Sequence, residues 1–373
     1  MRPGTDHTAR PRRRSRCAPD IETSPRHHPV PRRFEKESRT PMSLLSHSRF
    51  AAWLRLVVGL FVAVVAVAGC SSDAEPAAAS GTRPVQTEKG AIEVPANPQR
   101  VVVLNGALAG YLYDLDVPVA AADPRVLGVS GRNADFPKTW ADAAKEQGTQ
   151  MVPVGQAVNV EFVASLQPDL IIGGGQGFPA KQSVDAYDQL SAIAPTVLLP
   201  GNVTGWQDQL KQIADVVNRT DKVADLISAY DDKVKQVSAA IKVPEQQVGY
   251  FQSAADGQPK MILPNAALPT LLAELGFKAD DQVLAKAGNP ELNPSADWFG
   301  FSPELLTKVV DAPVVFVVPL SGAKSAADLA KDPLYAQLPA FKDKKVYELP
   351  ATSYRPDYRG VMDTLDLIQE QFQ

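Results

Sequence analysis

The chain has 373 residues, with 38 lysines and arginines against 42 aspartates and glutamates, a formal net charge of −4. All four histidines and one of the two cysteines precede residue 70: His7, His27, His28, His47 and Cys17. From residue 70 onward the chain therefore has no histidine and a single cysteine, which excludes a Ser–His–Asp triad, a Cys–His dyad, an ordinary zinc or copper site and a structural disulfide. Residues 70–373 carry 25 basic and 37 acidic side chains, a net charge of −12, which argues against nucleic-acid binding.

Residues 1–41 are rich in Arg, Pro and Ser and poor in apolar clusters. Such a composition cannot bury enough surface to offset the conformational entropy of the chain. We expect this segment to be disordered and to lie upstream of the true start of translation, at Met42.

Residues 42–69 have the layout of a lipoprotein signal peptide. Arg49 and Arg55 precede an uninterrupted apolar run from Leu56 to Ala68, which is too short for a stop-transfer helix. The next residue is Cys70, and the sequence VAGC resembles a bacterial lipobox, in which the cysteine receives lipid. We expect a lipid anchor on Cys70, a polar tether over 70–90 and a location on the extracytoplasmic face of the cell membrane. A plain signal peptide that happens to precede a cysteine is the alternative.

Short β-branched runs alternate with amphipathic stretches over residues 91–203, which predicts a first α/β lobe with buried parallel strands. The predicted strands are 101–104, 119–122, 170–172 and 196–199, and the predicted helices include 106–116 and 159–167. The glycines that follow residue 172 predict a tight turn that lets a ligand or another lobe approach the backbone closely. Their spacing fits no nucleotide-binding motif.

Residues 204–243 predict a helical linker and a long spine helix. Thr220 is the expected N-cap, and apolar residues at helical spacing continue to Ile241. Strand and helix signals then resume over 244–373, with strands at 248–251, 260–263, 314–318 and 345–349 and helices at 268–275, 303–309 and 357–371. The pattern predicts a second α/β lobe and hence two three-layer lobes joined by one helix, with a cleft between them.

Five segments along the chain resemble the iron–siderophore solute-binding proteins of ABC importers, most closely the iron-dicitrate type (FecB-like) lipoproteins. They are 97–104 (NPQRVVVL), 166–172 (LQPDLII), 194–197 (APTV), 302–306 (SPELL) and 340–347 (AFKDKKVY). Each is short, but together they keep the family's order and spacing from about residue 85 to the end. The resemblance implies a class III periplasmic-binding-protein-like fold with stiff lobes, a monomeric state and no enzymatic activity.

The resemblance also implies docking onto a permease dimer through one glutamate per lobe, at Glu161 and Glu304. Both are expected in the first turn of a helix, where the macrodipole stabilises a carboxylate that can pair with arginine. The cargo implied is a ferric siderophore, whose iron the siderophore itself holds, so we expect no cofactor and no direct metal ligand from the protein.

Arginine and aromatic side chains suit a bulky, often anionic carrier, because guanidinium groups stack and form paired hydrogen bonds. The candidate ligand contacts are the arginines and aromatics that we place in cleft loops: Tyr111, Arg125, Arg132, Trp140, Phe178, Trp298, Phe299, Tyr354, Arg355, Tyr358 and Arg359. Basic side chains gathered in the cleft of an acidic protein would attract an anion.

Three alternatives remain open from the sequence. The cleft could hold haem, cobalamin or another tetrapyrrole, although only Tyr or Met could then ligate the haem iron. The protein could be a cell-envelope interaction factor without a transport role. A siderophore esterase is least favoured, since its usual triad lacks a histidine.

Overall fold

The computed structural model of the protein describes residues 81–126 and 135–373, and its first element is a β-hairpin. Strand β1 (Thr82–Thr87) pairs antiparallel with β2 (Gly90–Pro95). Val85 and Val94 anchor the hairpin in the core with 3% and 0% of their surface exposed. The tether expected over 70–90 is thus corrected at its end, because the chain is folded from Thr82; the signal segment, Cys70 and the start of the tether lie outside the described residues.

The first lobe contains a five-stranded, fully parallel sheet with the order β5-β4-β3-β6-β7. Its strands are β3 (Val101–Val103), β4 (Val119–Ala122), β5 (Gln150–Met151), β6 (Leu170–Gly174) and β7 (Thr196–Leu199). Its helices are α1 (Gly106–Asp114), α2 (Ala141–Gln147), α3 (Val160–Ser165), α4 (Gly177–Asp185) and α5 (Tyr187–Ser191). Because side chains alternate along a strand, Val101 and Val103 pack on one face of the sheet and Val102 on the other. Both faces are covered by helices, as the unbroken apolar runs predict.

Two helices follow the first lobe: α6 (Trp206–Val216) and α7 (Val223–Ala240). A single 3₁₀ turn (Thr220–Lys222) leads into α7. The predicted spine helix is confirmed, but its start differs from the expectation: Thr220 lies inside the 3₁₀ turn, and Lys222 occupies the N-cap position of α7 without a side-chain cap.

The second lobe contains a mixed five-stranded sheet with the order β10-β9-β8-β11-β12. Its strands are β8 (Val248–Ser253), β9 (Lys260–Ile262), β10 (Trp298–Gly300), β11 (Val314–Pro319) and β12 (Val346–Glu348). Strands β8, β11 and β12 are parallel, and β9 runs antiparallel to both of its neighbours. Its helices are α8 (Ala267–Glu274), α9 (Val283–Lys286), α10 (Leu306–Val309), α11 (Ala326–Leu329), α12 (Pro333–Ala336), α13 (Pro339–Lys342) and α14 (Tyr358–Phe372). Two further 3₁₀ turns are Pro303–Leu305, which replaces the first turn of the helix predicted at 303–309, and Ala351–Ser353.

The two lobes share one hydrophobic core. Leu112 of α1, Leu210 of α6, Tyr230 of α7 and Leu365 of α14 belong to a single buried cluster that reaches both sheets. The outer faces of the sheets pack in two separate clusters, one for each lobe. Helices therefore cover both faces of each sheet, and the predicted pair of three-layer α/β lobes joined by a long helix is confirmed.

None of the helices in residues 81–126 and 135–373 combines the length and the apolar character that crossing a bilayer requires.

Candidate functional site

An open cavity of about 600 Å³ lies between the two lobes. The first lobe lines it with residues that follow β6 and β7: Gly175, Gln176, Gly177, Gly201, Asn202 and Thr204. The second lobe contributes Asn293, Pro294, Ser295, Trp298 and Arg355. A cavity of this size, with a few convergent polar groups, is typical of a small-molecule site. We refer to it as the cleft.

The glycine run after β6 forms the wall of the cleft in the first lobe. Gly174, Gly175 and Gly177 have φ values of 76°, 75° and 83°, a region that side chains other than glycine rarely adopt. A Cβ at Gly174 would lie 2.3 Å from the carbonyl oxygen of Leu199. The buried amide of Asn105 donates to the carbonyl of Gly174 at 2.8 Å and to that of Gln176 at 3.0 Å, which fixes the turn. The predicted tight turn is confirmed, and the approach of a ligand to its backbone stays a prediction.

Arg355 forms the opposite wall and is held by Asp297. The guanidinium donates two hydrogen bonds to this carboxylate, from Nε at 2.7 Å and from Nη2 at 2.8 Å. The hydroxyl of Tyr354 and the amide of Asn293 donate to the same carboxylate at 3.0 Å and 2.9 Å. The remaining guanidinium nitrogen, Nη1, donates across the cleft to the Oε1 atom of Gln176. Arg355 is therefore paired within its own lobe and bonded to the other.

Trp298 opens strand β10 and presents a half-buried indole to the cleft. The ammonium of Lys260 lies 5.1 Å from the centre of the ring, within cation–π distance. That ammonium also pairs with Asp256 at 2.7 Å. The indole thus has a fixed orientation and gives the cleft a flat apolar surface beside polar neighbours.

Arg125 and Phe178 lie in the first lobe beside the cleft but do not line it. The guanidinium of Arg125 pairs with Asp123 at 2.5 Å and donates to Gln182 at 2.6 Å. Its carbon Cζ lies 5.8 Å from the centre of the Phe178 ring, and 51% of Phe178 is exposed. Arg132 lies outside the described residues.

Four predicted aromatic contacts are corrected, because their side chains are buried in the folded protein. Tyr111 is 0% exposed on α1 and donates its hydroxyl to Gln209 at 3.1 Å. Phe299, also 0% exposed, points from β10 into the outer core of the second lobe. Trp140 is 1% exposed, with Tyr113 and Phe136 as its ring partners. Tyr354, 1% exposed, reaches the site only through its hydrogen bond to Asp297.

Arg359 and Tyr358 lie at the junction of the two lobes rather than in the cleft. Arg359 donates to Asp114 of α1 at 2.8 Å and to the carbonyl of Thr139 at 3.4 Å. The ring of Tyr358 packs against Trp206 at a centroid distance of 5.7 Å. We call this contact between α1 and the start of α14 the lobe junction. Of the four candidates in this segment, Tyr354, Arg355, Tyr358 and Arg359, Arg355 is therefore the one that lines the cleft.

Two carboxyl groups at the lobe junction have raised pKa values. Burial raises the pKa of Asp114 to about 7, although the neighbouring Arg359 lowers it. Burial likewise raises the pKa of Asp357 to about 6, and its hydrogen bond from the backbone of Gly360 opposes the shift. These carboxyl groups make the junction sensitive to pH near neutrality.

The second lobe does not line the cleft only with loops that follow its strands, as two facing sheets would predict. Arg355 follows β12, as expected, but Asn293, Pro294 and Ser295 precede β10, and Trp298 is its first residue. The loops after β8 and β11, which include Ala254 and Gly322, line a separate cavity of about 340 Å³. Strand β10 is antiparallel to β9 and therefore runs in the same direction as β8, so the loop before β10 lies at the opposite end of the strands from these two loops.

Sequence reasoning missed Gln176, Asn202, Asn293 and Asp297. A signal was present in both lobes: Gln176 lies inside the glycine run, and Asn293–Asp297 (NPSAD) has the composition of a turn directly before Trp298. Polar amides carry little sequence signal, since they are equally common on ordinary surface loops.

Glu161 and Glu304 are exposed. Glu161 lies in the first turn of α3, and Glu304 lies in the 3₁₀ turn before α10, so the predicted position at the start of a helical element holds for each.

The protein has two α/β lobes, a polar cleft between them and a helical core that both lobes share. These features are typical of a protein that binds a ligand between its lobes. Residues 101–352 match the family model described as periplasmic binding protein. The chain belongs to this family, and the resemblance noted from the sequence is confirmed at that level.

Characterised relatives have names that describe binding proteins. FepB of Escherichia coli, named a ferric enterobactin-binding periplasmic protein, is 29% identical over 300 residues, which are 79% of this chain and 92% of FepB. YfiY of Bacillus subtilis, named a probable siderophore-binding lipoprotein, is 29% identical over 265 residues, 68% of this chain and 75% of YfiY.

Solved structures show the same fold. Holo-ViuP superposes with a TM-score of 0.65 at 21% identity and covers 78% of this chain and 95% of its own. SirA of Staphylococcus aureus, complexed with staphyloferrin B, superposes with a TM-score of 0.59 at 22% identity, over 78% of this chain and 99% of SirA.

Proposed function

We propose that this protein captures a ferric siderophore in the cleft and delivers it to an ABC permease on the extracytoplasmic face of the membrane. The observation that carries the proposal is the cleft itself, where Arg355, Trp298 and several amide side chains converge from two lobes on a cavity of about 600 Å³. Membership of the periplasmic binding protein family and the siderophores in the names of its relatives support it. The protein holds its cargo without chemical change, as a binding protein and not an enzyme.

The side chains of the cleft suit such a cargo. The indole of Trp298 offers a surface on which a flat chelating group can stack. Arg355 offers donors at an opening whose opposite wall includes the bare backbone of Gly175 and Gly177. The shared helical core keeps the lobes at a fixed spacing, so little reorganisation accompanies binding. The remaining predicted contacts among the described residues, Arg125 and Phe178, belong to the rim of the site in this proposal.

Fluorescence titration tests the cargo, because Trp298 borders the cleft whereas Trp140 and Trp206 are buried. Ferric siderophores should quench the emission at saturable, micromolar or lower concentrations, and Trp298→Phe should remove most of the quenching. Haem serves as the comparison ligand. Saturable quenching by haem, with none by a panel of hydroxamate, catecholate and citrate complexes of iron, would overturn the proposal.

Arg355→Ala tests the site within the cleft. The variant removes the donors and leaves Asp297 unpaired at the opening, so ligand affinity should fall at least about tenfold, equivalent to ~1.4 kcal/mol. Arg219→Ala is the matched control, because Arg219 bonds to Asn97 at 2.6 Å and does not line the cleft. Equal affinities for the two variants would remove Arg355 from the site.

Docking onto the permease is assigned to Glu161 and Glu304, which are exposed and free to meet arginines of a partner. Replacing both by arginine should leave ligand affinity unchanged and abolish siderophore uptake by cells. The control replaces Glu245, an exposed glutamate after α7, by arginine. Normal uptake by the double variant would contradict the docking assignment.

The anchor is assigned to lipid on Cys70. Cys70→Ser in the full chain should move the protein from the membrane fraction to the soluble fraction. The released protein should still bind ligand, and it should elute as a monomer in size-exclusion chromatography. A variant that stays with the membrane would contradict the assignment.

A further inference from the structure

The arginines that were expected to attract an anion are neutralised. Arg125 pairs with Asp123 at 2.5 Å, and Arg359 pairs with Asp114 at 2.8 Å. Arg355, which lines the cleft, pairs with Asp297 at 2.7 Å through two parallel hydrogen bonds. Each described arginine near the cleft therefore contributes a dipole rather than a net charge.

Among the described lining residues, Arg355 is the charged one. The others are glycine, proline, hydroxyl, amide and indole groups. Asp297 lies directly behind Arg355, with 7% of its surface exposed, and it accepts hydrogen bonds from Tyr354 and Asn293 as well. Segment 127–134 carries one formal charge, that of Arg132, and the net charge of −12 for residues 70–373 already includes it.

The charge of a ferric complex depends on its chelating groups. Three hydroxamates balance the iron(III) charge and give a neutral complex, whereas three catecholates give a triply charged anion. Such an anion would lose hydration in the cleft and meet Asp297 without a surplus of positive charge to compensate. A neutral complex needs hydrogen bonds, which the amides of Gln176, Asn202 and Asn293 can supply.

We infer that the cleft selects ferric complexes without net charge, of the tris-hydroxamate kind, and discriminates against tris-catecholates through the pairing of Arg355 with Asp297. The inference rests on the proposed function and narrows its cargo. It differs from a direct transfer of the ferric enterobactin in FepB's name, and it makes Asp297 a specificity-determining residue.

The first test compares two ligands on the full chain in detergent. Ferrichrome, a neutral tris-hydroxamate, should bind at least about 100-fold more tightly than ferric enterobactin, a difference of ~2.7 kcal/mol. Its affinity should also change little between low and high salt, since no net charge is paired on binding. Equal or tighter binding of ferric enterobactin would overturn the inference and leave the proposed function intact. Binding of neither complex, nor of any other ferric siderophore, would overturn the proposed function itself.

The second test changes the charge of the site. Asp297→Asn leaves Arg355 unpaired at the cleft, so the affinity for ferric enterobactin should rise at least about tenfold, by ~1.4 kcal/mol, and that for ferrichrome should change less. The matched control is Asp280→Asn, which removes a buried carboxylate paired with Lys286 at 2.7 Å in the same lobe. An unchanged preference in a folded Asp297→Asn variant would overturn the inference. If that variant does not fold, the comparison on the unaltered protein decides.

Discussion

The two lobes meet at the cleft and at the lobe junction, and each place contains one arginine–aspartate pair. The carboxylates are similarly hidden: the side chain of Asp297 is 10% exposed and that of Asp114 is 7% exposed. Their partners differ. Asp297 accepts hydrogen bonds from Arg355, Tyr354 and Asn293, so both of its oxygens are satisfied. Asp114 accepts one bond from Arg359, and its second oxygen has no partner.

This difference teaches that two similarly buried carboxylates can differ in how far hydrogen bonds compensate for the loss of water. The under-satisfied Asp114 holds its proton up to a pKa of about 7, because burial penalises its charged form. Asp297 accepts hydrogen bonds on both of its oxygens and holds Arg355 in place at the wall of the cleft. The cleft is thus prepared for a ligand, whereas the junction holds the lobes together by apolar packing around one incompletely satisfied pair.

The largest expected effect comes from the apolar part of the junction. Leu365 of α14 is 0% exposed in the core that both lobes share. Leu365→Ala should lower the free energy of unfolding by about 2–5 kcal/mol, through lost transfer free energy and a residual cavity. Urea unfolding measures the loss, and Ser295→Ala in the cleft is the control, with an expected change below about 0.5 kcal/mol. A loss below about 1 kcal/mol for Leu365→Ala would mean that the lobes do not depend on the shared core.

A smaller effect is expected from the ion pair at the junction. Arg359→Ala deprives Asp114 of its hydrogen-bond donor, so we expect a loss of about 1–3 kcal/mol at pH 8, reduced because Arg359 is partly exposed. At pH 5 the loss should shrink, because Asp114 is then protonated in the folded protein. A double-mutant cycle with Asp114→Asn checks the cause: the effect of Arg359→Ala should nearly vanish in the Asp114→Asn background. An equal loss in both backgrounds would locate the effect elsewhere.

The pH dependence of stability sharpens the same comparison. In the unfolded chain Asp114 deprotonates near its ordinary pKa of 3.8, whereas in the folded protein it keeps its proton to about 7. Asp357, with a pKa of about 6, acts in the same direction. Between these values the folded state binds more protons, so the contribution of Asp114 to stability is present at low pH and is lost as the pH rises to about 7.

Asp114→Asn should therefore flatten the pH profile of the unfolding free energy by about 1–3 kcal/mol between pH 4 and 7. A profile that rises with pH in the unaltered protein, and does not change in Asp114→Asn, would contradict the raised pKa.

Much of the fold could be predicted from the sequence. The strands at 101–103, 119–122, 170–174 and 314–319 are unbroken apolar runs, and such runs report a sheet covered on both faces. The hairpin Thr82–Pro95 and strand β10 could not be predicted, because the hairpin strands TRPVQT and GAIEVP mix polar and apolar residues, and the three residues of β10 (WFG) are too few to set a pattern. Their positions depend on contacts that are distant in sequence.

The site was only partly predictable. Arginine in a loop after a strand is a recognisable signal, and it identified Arg355 correctly as a cleft residue. The same signal also selected Arg359, four residues later. Arg359 lies in the first turn of α14 and contacts Asp114 at the lobe junction instead. Sequence spacing cannot tell whether an arginine has an aspartate beside it, since Asp297 and Asp114 are 58 and 245 residues away from their partners.

The smallest effect should come from Gln176, the residue of the cleft that bonds to Arg355 across the lobes. Gln176→Ala removes two hydrogen bonds, the one from Arg355 and the one that Gln176 donates to the carbonyl of Gly201 at 2.8 Å, but Asp297 still holds Arg355 and water can replace the lost groups at the open cleft. The free energy of unfolding should therefore change by less than about 1 kcal/mol. Gln209→Ala is the contrasting variant, because it leaves the buried hydroxyl of Tyr111 without its hydrogen-bond partner. It should lower the free energy of unfolding by about 1–3 kcal/mol. If Gln176→Ala lowered the free energy of unfolding as much as Arg359→Ala does, the hydrogen bond across the cleft would help to join the lobes. That result would contradict the distinction between a cleft that binds ligand and a junction that holds the lobes together.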